Sequence, residues 1–581
     1  MELYYHVSIP DPSTHLFHVR FTCDPVPAGE WRWQMPVWTP GSYLVREFAR
    51  QVDDVVVTDD RGTAVPVVKV DKNTWSAVPR RDGALTIAYT VYAHEFSVRT
   101  SHLDSDHGLL NGTSVFMYAV DAKNEPGTLS LTLPEGWNAY TGLATDDAGA
   151  FRFDSYDHLV DCPLELGQPQ VSEFRVDGVP HQLVVCGPGF LDQAALQDDL
   201  VRLIPAAAHV FGGGLPYDRY VFILHLTDRG GGGLEHRNSA VMTMPRFLPE
   251  PTRARARIMG LFSHEYFHAW NVKRLHPAVL GPFDYSREVY THHLWLMEGG
   301  TTYYAELLPV RAGLWPVRDL LKALGQQIHA DLGRPGRWHQ SVAESSWDAW
   351  IKGYRPDAHS PNATVSYYAR GALVSLLLDL ALRRATADRV SLDTLLQELW
   401  RRYPEGFPES APETVAEELG GPELGAFFRD AVYRAGDLPF DLLETVGLCY
   451  QEEAAGKTAP PFSGLSTEVQ DGRLVITGVQ AASPAERAGL APGDEMIAWD
   501  GIRLEPSRFA SQVAVFPANQ TVVVHRFRRG VLGTAALTLG APVNATGTVE
   551  PVAEPTAAQR RAFASWCGQP WPFPDAAVSP G

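Results

Sequence analysis

Cysteine is scarce in this chain, and long apolar runs are missing. Its five cysteines, Cys23, Cys162, Cys186, Cys449 and Cys567, are odd in number, far apart and without a C-x-x-C pair. That argues against a disulfide framework and a cysteine zinc site, and fits a reducing compartment. Nowhere do about eighteen apolar residues run uninterrupted, as a transmembrane helix needs. The start, Met1-Glu2-Leu3-Tyr4-Tyr5-His6-Val7-Ser8, has an early acid and no apolar stretch of signal-peptide length, so a cytoplasmic chain is expected. Basic residues are outnumbered: 49 Lys and Arg face 68 Asp and Glu, a formal charge of −19. Such a surface repels phosphate backbones, and neither nucleic acid nor membrane is an expected partner.

What remains is an ordinary globular composition, 45% hydrophobic and 20% charged over 581 residues, enough for about three to five domains. From 1 to 168, short runs rich in Val, Tyr, Thr and Phe alternate with turn clusters such as Asp60-Arg61-Gly62, which reads as a β-sandwich-like domain. Between 169 and 456, two strand-like runs, Val184-Val185 and Tyr220–Leu224, give way to helical patterns over 253–270, 319–332, 364–386 and 391–403. The polar, Pro-ending stretch 452–461 reads as a linker. Short strands return over 462–543, and 544–581 reads as a Pro- and Ala-rich tail with one possible short helix near 557–566. The fold class is therefore multidomain α+β.

Ser263-His264-Glu265-Tyr266-Phe267-His268 contains H-E-x-x-H inside a helical pattern. The i to i+4 spacing puts His264 and His268 on one helix face, where both imidazoles reach one Zn²⁺ and Glu265 sits beside its water as a general base. A catalytic zinc needs a third protein ligand and an open position. Two glutamates compete. Glu288 lies 20 residues after His268, and Glu298 lies 30 after it, in Leu294-Trp295-Leu296-Met297-Glu298-Gly299-Gly300. Glu298 is favoured because it follows an apolar run and opens a helical pattern through Tyr304, whereas Glu288 follows the loop Gly281-Pro282-Phe283-Asp284-Tyr285. His292 and His293 are nearby histidines expected to be partly buried neighbours of the site.

These motifs together, His264 to Arg274, Trp295-Leu296-Met297-Glu298-Gly299 and Gly232-Gly233-Leu234-Glu235-His236, resemble the glycyl aminopeptidase family of zinc metallopeptidases. The resemblance runs over nearly the whole chain. It implies a thermolysin-like (gluzincin), mainly helical catalytic domain over 169–456, one zinc per chain, and removal of small N-terminal residues such as Gly or Ala. It also implies that Glu235, with Gly232 and Gly233, holds the substrate's α-ammonium group, although His236 stands where relatives commonly carry Asn. Tyr368, in Tyr367-Tyr368-Ala369-Arg370-Gly371, takes the place of the family's oxyanion donor, with Tyr367 as alternative and Arg370 replacing a lysine. Trp38-Thr39-Pro40-Gly41-Ser42-Tyr43-Leu44-Val45-Arg46 resembles a further stretch of the family and is expected to be a structural turn bordering the cleft.

The run Ala482-Ser483-Pro484-Ala485-Glu486-Arg487-Ala488-Gly489-Leu490-Ala491-Pro492-Gly493-Asp494 and the following Asp500-Gly501 resemble the middle of a PDZ domain, a fold that takes an extended peptide as an added strand. The loop Phe462-Ser463-Gly464-Leu465 would face that peptide's carboxylate, and its single glycine leaves such capture open. The combined expectation is a zinc aminopeptidase acting on peptides with a free N-terminus. Two alternatives stand beside it: a thermolysin-type metallo-endopeptidase, or an inactive peptidase-like scaffold bearing a PDZ domain.

Overall fold

The computed structural model describes residues 1–247, 251–454, 456, 459–543 and 546–573. Contacts divide the chain into two compact units. The first comprises Met1–Thr291, Tyr304–Leu314 and Asp393–Pro412; the second comprises His292–Tyr303, Trp315–Leu392 and the chain from Glu413. Among the described residues no helix is long and apolar enough to cross a membrane.

The first unit begins with β structure. An eight-stranded sheet has Glu2–Ser8 and Leu16–Val26 at its centre, and two four-stranded sheets accompany it. Alternation drives the packing: Leu3, Tyr5 and Val7 turn inward while Glu2 and Tyr4 face out, as a half-buried strand requires. One apolar core draws on all three sheets, through Phe21, Trp33 and Leu164 among others.

Beyond it lies a five-stranded sheet in the order Gln170–Val176, Val179–Cys186, Tyr220–Thr227, Ser239–Pro245, Gly232–Glu235. The middle three strands are parallel, and Gly232–Glu235 runs antiparallel along one edge. Tyr220–Thr227 is buried almost throughout, the pattern of a parallel strand covered on both faces. Val184, Val221, Ile223 and Val241 pack with Val98 and Leu109 of the β-rich part. The helix Pro251–Phe267 packs along the edge strand and its neighbour Ser239–Pro245. Three of the five strands escaped the sequence reading, Gln170–Val176 among them; the Gly-Gly-Leu-Glu edge and the Ser-Ala-Val-Met-Thr-Met-Pro strand lack the β-branched runs that announce strands.

The second unit centres on the helix Ala369–Thr386, buried on nearly every side. Residues 465–538 form a sheet with its own apolar core of Leu474, Ile476, Met496, Trp499, Val522 and Leu537. The segment expected to be a tail is folded. Thr546–Pro551 pairs antiparallel with Leu448–Glu453, so the expected linker begins inside a strand. The helix Ala557–Cys567 buries Ala562, Phe563, Trp566 and Cys567, and the Trp566 indole N–H donates to the Tyr303 hydroxyl at 2.8 Å. Ala562 with Trp566 and Phe563 with Cys567 lie one turn apart on one helix face, a periodicity that the surrounding Pro and Ala obscure in composition. Residues 455, 457 and 458 of the linker, and 544, 545 and 574–581 of the tail, lie outside the described residues.

Candidate active site

In the first unit, the end of the helix Pro251–Phe267 carries His264 and Glu265, and His268 follows directly. The Nε2 atoms of His264 and His268 lie 3.1 Å apart. Two ligands of a tetrahedral zinc with bonds of about 2.0–2.1 Å stand about 3.3 Å from each other, so the pair spans one edge of such a site. The helix tightens past Phe267, with the Ala269 amide donating to the Tyr266 carbonyl, and this turn brings the Asn271 carbonyl to 2.6 Å from His268 Nδ1. The Nδ1 proton is thereby held on that carbonyl, which leaves the Nε2 lone pair for a metal. The donor chemistry fits zinc.

Glu265 is buried and lies against the edge strand: a Cβ at Gly233 would fall 2.3 Å from its carboxyl carbon. Gly233 is therefore glycine to make room for the Glu265 carboxylate. Gly232, at φ +135°, occupies backbone space that disfavours any side chain. Two residues on, Glu235 is 4% exposed, and ligand atoms of Glu235, Glu265 and His268 lie within 4.8 Å of one another. The turn after Glu235 is pinned by buried Asp161, which accepts from the Arg237 amide at 2.9 Å and pairs with His236 at 3.2 Å and with the Lys273 ammonium at 2.6 Å. Burial opposes the Asp161 charge, yet Lys273 and His236 outweigh it and hold this carboxyl well below the usual carboxylate range.

Sequence reasoning left one neighbour without chemistry. Thr39-Pro40-Gly41-Ser42 makes a tight turn, with the Ser42 amide donating to the Thr39 carbonyl at 3.1 Å and Gly41 at φ +84°. Proline followed by a positive-φ glycine is the signature of a type II turn. It seats Gly41 on Glu235: a Cβ there would lie 2.5 Å from Oε1 and 2.6 Å from Oε2. The Pro-Gly pair was the available signal, but nothing in the sequence ties residue 41 to residue 235.

In the second unit, Glu298 lies in the π-helical turn Trp295–Gly299 and is 2% exposed. A π turn leaves carbonyls out of register, and the Thr301 and Thr302 hydroxyls donate to those of Met297 and Glu298. Gly299 and Gly371 are glycines for one reason. Their backbones touch: a Cβ on Gly299 would lie 2.5 Å from the Gly371 Cα, and one on Gly371 would lie 2.8 Å from the Trp295 carbonyl oxygen. This crossing brings the start of the helix Ala369–Thr386 to the π turn. Crowding and the nearby Glu298 charge push the Tyr368 phenol well above its ordinary value, so it stays a proton donor. Tyr368 is partly exposed, whereas Tyr367 is buried with its ring against the Gly353 backbone. Arg370 is a buried anchor, donating to both carboxylate oxygens of Asp331 at 2.8 and 2.7 Å.

Glu288 is half-buried in an irregular stretch of the first unit, and among the described residues it does not join His264 and His268 in a ligand group. In the second unit His292 stacks on Trp347, with ring centroids 4.4 Å apart, and the His293 carbonyl accepts from the Leu296 and Met297 amides.

Residues 4–168 match the M61 peptidase N-terminal domain, and residues 257–374 match the M61 glycyl aminopeptidase domain. The second match contains His264, Glu265, His268, Glu298 and Tyr368. No curated protein matches the chain. Among solved structures, an aminopeptidase N family protein from Idiomarina loihiensis is 30% identical, covers 97% of this chain and 100% of its own, and has a TM-score of 0.91. An M1 zinc metallopeptidase from Deinococcus radiodurans is 16% identical over 76% of this chain and 94% of its own, with a TM-score of 0.49. A leukotriene A4 hydrolase from Saccharomyces cerevisiae is 14% identical over 77% and 70%, with a TM-score of 0.47. With the H-E-x-x-H motif and Glu298 inside the matched residues and a 30% identical relative covered end to end, the chain belongs to the M61 glycyl aminopeptidase family and is a metallo-aminopeptidase.

Proposed function

We propose that the chain is a zinc-dependent aminopeptidase that hydrolyses the first peptide bond of peptides with a free amino terminus, and that it prefers small N-terminal residues such as Gly and Ala. The observation that carries this reading is the buried Glu235 carboxylate within 4.8 Å of Glu265 and His268. In a peptide the amino nitrogen lies only about 2.5 Å from the first carbonyl carbon, and one more residue adds over about 3 Å. An ammonium paired with Glu235 thus sets the first peptide bond, not the second, beside Glu265. A blocked terminus leaves the buried carboxylate without its partner, at a cost of about 1–3 kcal/mol or more.

In this reading His264 Nε2, His268 Nε2 and the Glu298 carboxylate hold one zinc per chain. A zinc ion bound by this donor set supplies Lewis acidity to the scissile carbonyl and acidifies water. Glu265 takes the proton of the attacking water and delivers it to the leaving amine. Tyr368 donates to the developing oxyanion, a role that suits its persistently protonated phenol. Glu235 binds the ammonium, and the edge strand at Gly232 and Gly233 offers main-chain groups along which a substrate can extend. The preference for Gly and Ala rests on family membership.

The proposed division is an N-terminal β domain (1–168), a gluzincin catalytic domain (169–456), a PDZ-like domain (462–543) and a C-terminal segment (544–581), in a cytoplasmic protein. The PDZ-like domain would take an extended peptide as an added strand. Its candidate carboxylate loop is already engaged: the Ser463 carbonyl accepts from the Ala485 amide, the Leu465 amide donates to Ser463 Oγ, and Ser483 fills the Cβ position of Gly464. These contacts favour strand addition over carboxylate capture.

The test is hydrolysis of amino-acyl p-nitroanilides, free and N-acetylated, before and after chelation and zinc restoration. Turnover of the free Gly and Ala substrates, lost on chelation and regained with zinc, is expected. Equal cleavage of the acetylated forms would overturn the exopeptidase reading.

A further inference from the structure

A second group of metal-type donors lies within the first unit, outside the proposed active site. Glu165, on the strand Leu164–Gly167, is fully buried. It accepts from His107 Nδ1 at 3.0 Å and pairs with His225 Nε2 at 2.8 Å, and ligand atoms of these three residues lie within 4.8 Å of one another. His107 begins the strand His107–Leu110, which pairs with Leu164–Gly167, while His225 lies on Tyr220–Thr227 of the five-stranded sheet. His102 and Asp104 form a further group with His107 on the same side.

Charge makes this cluster unusual. Among the described residues the only ion pairs of Glu165 are with these two imidazoles. Burying a carboxylate costs several kcal/mol unless a positive charge accompanies it, and charging His225, itself 2% exposed, incurs the same penalty again. A divalent cation between one carboxylate and two neutral imidazoles removes both costs. The nitrogen–oxygen separations of 2.8 and 3.0 Å are a few tenths of an ångström short of the ligand–ligand edge of about 3.3 Å in a tetrahedral zinc site. Among the described residues His225 Nδ1 has no hydrogen-bond partner, so the Glu165 carboxylate is the polar group that directs this ring, with the Phe96 ring edge-on to it at 5.1 Å. The His107 side chain is 22% exposed and lines a cleft of about 860 Å³ that supplies an entry path and a solvent ligand.

We propose that His107, Glu165 and His225 form a second site for a divalent transition metal of the zinc class, which ties the N-terminal β structure to the five-stranded sheet. Two imidazoles and one carboxylate suit zinc or cobalt, and not the all-oxygen preference of calcium or magnesium. The ion's place in the molecule is structural: it bridges two sheets, one of which carries Glu235 at its edge.

The test is zinc titration of the chelated, dialysed full chain, with bound metal measured by mass spectrometry. The wild type should bind two equivalents. A His264→Ala/His268→Ala chain should keep one, give a tetrahedral Co²⁺ absorption band and unfold at a higher temperature when zinc is added. Adding Glu165→Gln to that chain, a change that preserves shape, should remove the remaining equivalent and the band. His107→Ala alone, at the exposed rim, should bind one equivalent and still hydrolyse Ala-p-nitroanilide. Absence of zinc from the His264→Ala/His268→Ala chain while its circular dichroism stays native would overturn the proposal, as would an unchanged second equivalent in Glu165→Gln. The background variant separates the two sites, so failure at one does not imply failure at the other.

Discussion

Gly41→Ala is the most direct probe of how the N-terminal β structure serves specificity. The new methyl carbon would lie 2.5 Å from Glu235 Oε1 and 2.7 Å from Leu234 Cδ1. Ordinary contact needs about 3.4 Å, so the carboxylate must retreat by about 1 Å. A misplacement of that size in a positioning group costs about a hundredfold in rate, or about 2.7 kcal/mol of transition-state stabilisation. Alanine at φ +84° adds about 1–2 kcal/mol of backbone strain, which lowers stability without touching chemistry. The assay is kcat/KM for Ala-p-nitroanilide, with bound zinc and thermal unfolding as controls. Zinc content should stay constant while kcat/KM falls about a hundredfold. The second half of the test is rescue: Glu235→Asp shortens the side chain by about 1.3 Å and should recover part of the loss in the double variant, a non-additivity expected of residues in contact. Wild-type kcat/KM in folded Gly41→Ala, or strictly additive losses in the double variant, would refute the placement of Glu235 as the ammonium holder.

The parts of this site that were legible in sequence are those whose chemistry is local. His264, Glu265 and His268 announce themselves because a helix of 3.6 residues per turn makes an i, i+4 pair a metal face without help from the rest of the chain. The helix Ala369–Thr386 was legible for the same reason, its leucines recurring at helical spacing. What sequence could not reveal depends on non-local backbone contact. Gly299 and Gly371 lie 72 positions apart, and their glycine identity makes sense only once the π turn and the helix start are seen to touch. Gly233 was read only as part of the Gly-Gly-Leu-Glu stretch around Glu235, and it also provides the space that Glu265 fills. Asp161 gave no signal, and Lys273, although inside the His264–Arg274 stretch, gave none of its pairing, since a single Asp and a single Lys on distant segments are surface residues by default. The C-terminal helix was partly legible, but its docking was not: the Trp566 to Tyr303 contact joins residues 263 positions apart. Burial of an isolated tryptophan is invisible to composition.

Four further outcomes follow from the same geometry. Glu265→Gln keeps the size of the side chain and should retain bound zinc by mass spectrometry while lowering kcat by about 10²–10⁴-fold; undiminished turnover removes its role as base. Tyr368→Phe should lower kcat by about 10²-fold or more with KM nearly unchanged, and Tyr367→Phe should not; the reverse ranking would transfer the donor role. Gly371→Ala drives a methyl group to 2.8 Å from the Trp295 carbonyl oxygen, and this overpacking should cost about 1–3 kcal/mol in urea unfolding. The last outcome concerns acid. Asp161 is buried with its carboxyl held well below the ordinary range, burial being outweighed by Lys273 and His236. Its folded pKa is thus below the unfolded value of about 3.9. The stabilisation is fully present above that value and disappears as pH falls through it toward the folded pKa. Asp161→Asn leaves the Lys273 ammonium, itself 5% exposed, without its buried counter-charge, and should lose about 3–5 kcal/mol at pH 7. Urea unfolding at about pH 7, 5 and 3 measures the difference. The wild-type advantage should narrow as pH falls through the unfolded value of about 3.9, and it vanishes only below the folded pKa, where both chains carry an uncharged group at this position. Two stability curves that stay parallel down to about pH 3 would mean that the Asp161–Lys273 pair is not what pins the turn after Glu235.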